Sequence, residues 1–242
     1  MSRSPRKTYH HGDLRRAILE AARELLDREG PSALSFRRIA EAVDVSHAAP
    51  LAHFPDRLSL DAALAAQGFR ELATQCEHLR APVAFAAPAV PALSVSRRPE
   101  AQGPGLPASS GKRGSGLFAM RLVTAALMYL RFALEHPGLY AVMSQPELGE
   151  RLRQSEPGEE GEPALRELLD EKTRAFSVFV ELVRKGQAAG ELRRDIAPES
   201  AARLVAALAE GLAHQYLSDR RGMERLREAE ALFESLLRGL EK

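Results

Sequence analysis

The chain has 242 residues, 45% of them hydrophobic, with 34 basic against 33 acidic side chains and one cysteine. That length and apolar share suffice for a buried core. The near balance of charge excludes a polyelectrolyte, and the single Cys76 excludes an internal disulfide and a paired-cysteine metal site.

The first residues are polar and basic and carry no apolar leader core, which with the lone cysteine predicts a cytoplasmic protein. Over 13–29, Leu14, Ile18, Ala21, Ala22 and Leu25 recur at helical spacing, with Asp13 as cap and Gly30 as stop. Ser35 then caps a helix over about 36–43, and Asp44 and Val45 make a tight connection. Ser46 opens a very short helix, about 47–53, within VSHAAPLAHF (45–54). Pro55 ends it, and Asp56 caps a long helix from Arg57 to about Leu79.

Residues 81–116 are rich in Ala, Pro, Ser and Gly, with prolines at 82, 88, 91, 99, 104 and 107, and predict a flexible linker. The GKRGSG at 111–116 lacks the spacing of a phosphate-cradling loop. Helix resumes at Leu117 and runs to Glu135. Its apolar stretch carries Arg121 and Arg131, which make a bilayer span costly and predict a buried helix instead. His136-Pro137-Gly138 breaks the run, LYAVMSQ forms a short helix, and the polar stretch 149–163 reads as a loop. Helices follow over about 164–187, 198–218 and 223–240, with Gly190 as a C-cap and Pro198 in a first turn.

No strand pattern occurs, so the fold class is all-α. A three-helix helix-turn-helix domain (1–56, with a basic N-terminal arm) leads through a connecting helix (57–80) and the insert (81–116) into a helical bundle (117–242). A short helix after a tight turn suits the DNA major groove. Small Ala48, Ala49 and Ala52 permit close approach to base edges, Ser46 and His47 stand at the helix start, and Phe54 is an inward anchor. Nine basic residues against five acidic ones in 1–38 place positive charge where phosphates would pass. The expected DNA-binding residues are Arg37, Arg38, Ser46, His47, Ala48, Ala49, Leu51 and His53.

Residues 9–69, from YHHGDLRRAILEAARELLDREG through SFRRIAEAVDVSHAAPLAHF to LAAQGF, strongly resemble the N-terminal domain of TetR/AcrR-family transcriptional regulators. YLRFALEHPGLYAVMSQPEL (129–148) resembles the C-terminal ligand-binding domain of a subset of that family, and 190–213 resembles the region leading into its dimerisation helices. The resemblance implies a homodimer that binds a palindromic operator in double-stranded DNA and leaves it when a small molecule binds. It also implies a phosphate contact for Arg57, where the family commonly has lysine. The chain departs from the family at Leu51, where a phosphate-contacting tyrosine is usual, and at Ala52.

In the C-terminal half, Phe118, Leu122, Met128, Tyr129, Phe132, Tyr140, Met143, Phe176 and Phe179 are the expected lining of a largely apolar effector pocket. Leu204, Ala207, Leu208, Gly211 and Leu212 are the expected dimer contacts, because small residues let helices approach closely. No HExxH, cysteine pair, GxSxG or dinucleotide fingerprint occurs, so no enzymatic activity, cofactor or metal is expected. Two other readings stay open: a DNA-binding regulator without effector control, and a helical ligand-binding protein with a weakened DNA-binding head.

Overall fold

The computed structural model describes residues 11–80, 116–154, 162–219 and 225–241. The N-terminal arm, the insert expected at 81–116 (Gly116 apart) and the residues between 155 and 161 lie outside the described residues. Among those described, the only β-structure is an isolated bridge between Leu192 and Glu241; the rest is helix and turn.

Helix α1 (His11–Glu29) starts two residues ahead of Asp13, so Asp13 lies inside the helix and not at its expected start. Gly30, at φ 79°, ends it in the left-handed region that favours glycine, and its N–H bonds the Leu26 carbonyl at 2.9 Å. Helix α2 (Phe36–Ala42) is capped by Ser35, whose hydroxyl accepts the Arg38 N–H at 3.3 Å. Asp56 caps α3 (Arg57–Cys76) in the same way through Ser59, and a 3₁₀ turn over Glu77–Arg80 continues α3. The exposed carbonyls at that end are met from other helices: Arg121 donates to Leu79 O at 3.1 Å and Lys185 to Arg80 O at 2.7 Å.

Helix α4 (Leu117–Glu135) packs into the core among α7 (Pro163–Ala189), α8 (Pro198–Leu217) and α9 (Leu226–Arg238). It is long and apolar enough to cross a membrane, but Leu122, Ala125, Ala126 and Leu130 are buried within the bundle. Its first N–H groups are capped across the fold by Glu191, which accepts from Phe118 N at 2.8 Å. His136 breaks the chain as expected, and Pro137 and Gly138 then form the first turn of α5 (Pro137–Met143).

The stretch expected as a loop from 149 instead belongs to α6 (Pro146–Gln154). Leu148 and Leu152, four apart, turn one side of α6 inward, and Leu148 is buried; two apolar residues in a polar run are a weak periodic signal.

Two hydrophobic cores result. One lies among α4, α7, α8 and α9. The other joins α1, α2 and the first three-quarters of α3 to α5, α6 and the start of α7. Helix α3 runs through both, and ion pairs zip it to α7: Arg70 to Glu167 (2.7 Å) and Glu171 (2.8 Å), Arg80 to Glu181 (3.1 Å), and Glu77 to Arg174. No rotation of α3 can occur without disturbing α7.

Candidate DNA-binding face and effector cavity

Behind α2, Asp44 takes a left-handed φ of 54°, which aspartate tolerates, and Val45 N–H reaches Ala40 O at 3.0 Å. The regular short helix expected over 47–53 does not form. Turns lead into a single 3₁₀ turn, Pro50–Ala52, preceded by Ala49. The cause is Pro50, which has no N–H to bond back. Ser46 therefore serves through its backbone carbonyl, which accepts Ala49 N–H at 2.9 Å. The Pro50 carbonyl closes the turn by accepting from His53 N (3.1 Å) and Phe54 N (2.9 Å).

Pro50 and Phe54 are both buried and pin this turn to the head, with the Arg15 guanidinium 5.4 Å from the Phe54 ring centroid. The opposite side of the turn is open. Ser46, His47, Ala48, Leu51 and Ala52 are exposed, Leu51 at 47%, while Ala49 and His53 are half-buried.

The three expected arginines differ. Arg37 stands out from α2, with 79% of its side chain exposed and a surface pair to Glu41 at 3.0 Å. Arg38 is turned back onto the end of α1, donating to Glu29 at 2.7 and 2.8 Å. That bidentate guanidinium holds the exposed Glu29 carboxyl down at about 2. Arg57 is also committed within the protein. It donates to Asp61 at 2.8 Å, to Leu34 O at 2.5 Å and to Pro31 O at 3.4 Å, tying the start of α3 to the turn between α1 and α2.

The bundle holds a partly open cavity of about 140 Å³ between α3, α4, α5, α7 and α8. Of the expected lining, Tyr129, Met143, Phe176 and Phe179 form its wall. Phe118, Leu122, Met128, Phe132 and Tyr140 do not. Leu122 and Phe132 are plain core, Phe118 sits against Arg121, Met128 packs on the core's edge, and Tyr140 lies behind Tyr129 in an edge-on pair, centroids 6.0 Å apart. Burial pushes the Tyr129 hydroxyl well up and that of Tyr140 to about 12, so both stay protonated donors. The Tyr140 hydroxyl lies 3.2 Å from His214 Nδ1 on α8.

Sequence reasoning missed the wall that α3 contributes: Phe69, Leu72 and Cys76. Their spacing of three and four marks them as one helical face, but not as facing space in place of packed side chains. Burial raises the Cys76 thiol to about 11, so it is an apolar wall group and no nucleophile. Lys172 and Glu210 stand at the cavity's polar neck, which opens into a second, more polar hollow of about 250 Å³ against α6.

Two contacts connect this cavity to the head. Gln145, at the end of α5 and lining the second hollow, hydrogen-bonds the buried Asp61, which in turn holds Arg57 on the head's carbonyls. Burial raises the Asp61 carboxyl above its ordinary value, against the pull of Arg57. In addition, α5 lies directly on α1 at Gly138: a Cβ there would stand 2.3 Å from Leu26 O.

On α8, Leu204 is 49% exposed, Ala207 and Gly211 are exposed, and Leu208 is half-buried. Leu212 departs from the expectation. It turns into the chain's own core, at the inner edge of that stripe, and is withdrawn from the dimer contacts. Among the described residues no group of three His, Cys, Asp or Glu is placed to hold a metal.

Residues 18–64 match the family described as bacterial regulatory proteins, tetR family, and residues 122–240 match the tetracyclin repressor-like C-terminal domain. Among solved structures, a Rhodococcus sp. RHA1 protein of unknown function is 27% identical, with a TM-score of 0.62 over 98% of this chain and 100% of that one. A tetR-family regulatory protein from Rhodococcus RHA1 is 17% identical, with a TM-score of 0.59 over 94% of this chain and 97% of that one. The transcriptional regulator FadR from Bacillus subtilis, solved with stearoyl-CoA, is 11% identical, with a TM-score of 0.58 over 91% and 97%. No curated protein matches the chain by sequence.

Proposed function

Because the chain belongs to the TetR family of bacterial regulatory proteins, we propose that this DNA-binding regulator is a cytoplasmic homodimeric repressor. In this reading it sits on a palindromic operator and is released by a small, largely apolar effector, without enzymatic activity. The observation that carries the reading is the double use of α3: Phe69, Leu72 and Cys76 wall the cavity, while Arg57 at its other end grips the head.

On the DNA side, Arg37 supplies charge to the phosphates, and Ser46, His47, Ala48, Ala49, Leu51 and His53 present the turn to the major groove. Arg38 and Arg57 hold the head's shape and act on DNA through that shape. The exposed stripe of Leu204, Ala207, Leu208 and Gly211 on α8 supports pairing of two copies.

Release follows from geometry. An effector pressing on Phe69 or Met143 displaces α3 or α5. Motion of α5 moves Gln145, Asp61 and hence Arg57, and it also bears on α1 through Gly138. The two recognition turns then leave the spacing of about 34 to 36 Å that half-sites one turn apart require. The effector shifts the equilibrium only by its preference for the released form.

The test is fluorescence anisotropy with DNA from immediately upstream of the protein's own gene, against scrambled DNA across a salt series. The expected result is at least about a thousandfold preference for the upstream fragment with a steep salt slope. Equal, weak binding to every fragment of the genome in a selection would overturn the reading.

A further inference from the structure

We propose that the effector is a ring-sized molecule whose polar end carries two groups: an anionic acceptor for Lys172 and a hydrogen-bond donor for Glu210. This rests on the reading of the cavity as the effector site.

Size comes first. A cavity of about 140 Å³ matches the roughly 150 Å³ at which an apolar protein cavity takes up benzene. Its deep wall is aromatic and apolar, with Phe69, Tyr129, Phe176 and Phe179 around it, so it suits one six-membered ring or a short branched chain. A long acyl chain would have to leave it through the neck.

Charge comes second. Nearly every other acidic or basic side chain on the walls of α3 and α7 is in an ion pair, as with Arg70, Arg80, Glu167, Glu171, Arg174 and Glu181. Lys172 and Glu210 line both hollows and have no ion-pair partner among the described residues, nor do they pair with each other. The Lys172 ammonium is held over the face of Phe69, 5.8 Å from its centroid, so it stands at the junction of apolar wall and neck. Glu210 is one helical turn from Ala206, which also lines the cavity, and its carboxylate lies near enough to the Tyr129 and Tyr140 hydroxyls to raise both electrostatically. Arg153 also reaches the outer hollow, but it is engaged with Glu150.

Two exposed, opposite charges at one neck, neither in an ion pair among the described residues, define the ligand's chemistry. A simple carboxylic acid satisfies Lys172 and meets Glu210 as a like charge. A simple amine does the reverse. A molecule with both groups on adjacent carbons, a hydroxy acid or an amino acid with an aryl side chain, satisfies each. An exposed, hydrated charge that gains a charge-assisted hydrogen bond contributes up to about 1 kcal/mol, or about fivefold in affinity.

The test is isothermal titration calorimetry of the full chain without DNA. Four probes share the ring: phenyllactate and phenylalanine carry both groups, phenylpropanoate the acid only, and phenylethylammonium the donor only. The two-ended probes are expected to bind about fivefold more tightly than either one-ended probe. Lys172→Ala should erase their advantage over phenylethylammonium, and Glu210→Gln their advantage over phenylpropanoate. Glu210→Gln should keep the wild-type melting temperature, and Lys172→Ala should lower it only by the loss of one exposed cation–π contact on Phe69. Equal affinities across the four probes, tighter binding of a one-ended probe, or no binding of any probe would overturn the proposal. Tight two-ended binding that leaves operator affinity unchanged would keep the ligand class and sink the release mechanism instead.

Discussion

The head and the cavity use charge in opposite ways. In the head, Arg38 and Arg57 look available from the sequence, yet both are consumed inside the protein, on Glu29 and on Asp61 with the Pro31 and Leu34 carbonyls. At the cavity neck, Lys172 and Glu210 are exposed and line both hollows, yet among the described residues neither is in an ion pair. Paired charge builds the scaffold that aims a recognition surface. Charge left unpaired at a hollow, or standing out as Arg37 does, is what remains for a ligand.

The sharpest way to break the division is at the joint between the two regions. Gly138→Ala puts a Cβ 2.3 Å from Leu26 O and 2.8 Å from Leu26 C, both backbone atoms that have no rotamer to yield. The expected loss is about 1–3 kcal/mol, the usual cost of overpacking, read as a melting temperature lowered by about 2–4 °C per kcal/mol. An unchanged melting temperature would mean that α5 moves freely off α1, and the direct path from cavity to head would be lost with it.

Two carboxylates of the scaffold sharpen the comparison through pH, with opposite signs. Glu29 has its folded value held at about 2 against an ordinary 4.5 by Arg38. It binds protons less readily folded than unfolded, so its contribution is present above about 4.5 and is lost as pH falls toward about 2. Asp61 is raised by burial, so it holds its proton more readily when folded. Its contribution is present in acid and fades as pH rises through the ordinary carboxylate range toward its raised value. Glu29→Gln should therefore show a shallower acid-side fall of melting temperature, the remainder coming from other lowered carboxylates such as Asp56 and Glu181, whereas Asp61→Asn should be relatively more stable near neutrality than in acid. Parallel curves for the two variants would remove the distinction between a surface clamp and a buried one.

How much of this the sequence carries depends on what each feature is made of. Caps such as Ser35 and Asp56, the stop at Gly30 and the buried Phe54 were legible because each acts within a few residues of chain. The recognition segment was legible in place but not in form: one missing N–H at Pro50 turns a short helix into a 3₁₀ turn. α6 went unread because a single buried leucine anchors it. In the cavity, Tyr129, Met143, Phe176 and Phe179 were legible as bulky residues, but Phe118, Leu122, Met128, Phe132 and Tyr140 have the same look. Whether an aromatic side chain meets a neighbour or a void is decided by residues far away in sequence, here α3 against α7.

The two smallest effects separate charge from contact on the head itself. Arg37→Ala removes a side chain that is 79% exposed and holds only a surface pair, so stability should change by no more than about 0.5 kcal/mol. Operator binding should weaken across all sequences, and its salt slope should fall by about one. Arg38→Ala should do the reverse, lowering the head's stability through the loss of the Glu29 clamp.

Leu51→Tyr is the subtler of the two. Leu51 is 47% exposed on the open side of the turn, and the resemblance to the family puts a phosphate-contacting tyrosine there. A phenol adds one hydrogen bond and no charge. Affinity should rise by about fivefold, for a net gain of about 1 kcal/mol, while the salt slope stays put because no further counterion is released. Anisotropy across a salt series reads both quantities at once. A rise in affinity at constant slope places position 51 against the phosphate backbone. No rise means that this turn, shortened by Pro50, carries residue 51 past the backbone, and the head then relies on Arg37, Ser46, His47, Ala48, Ala49 and His53.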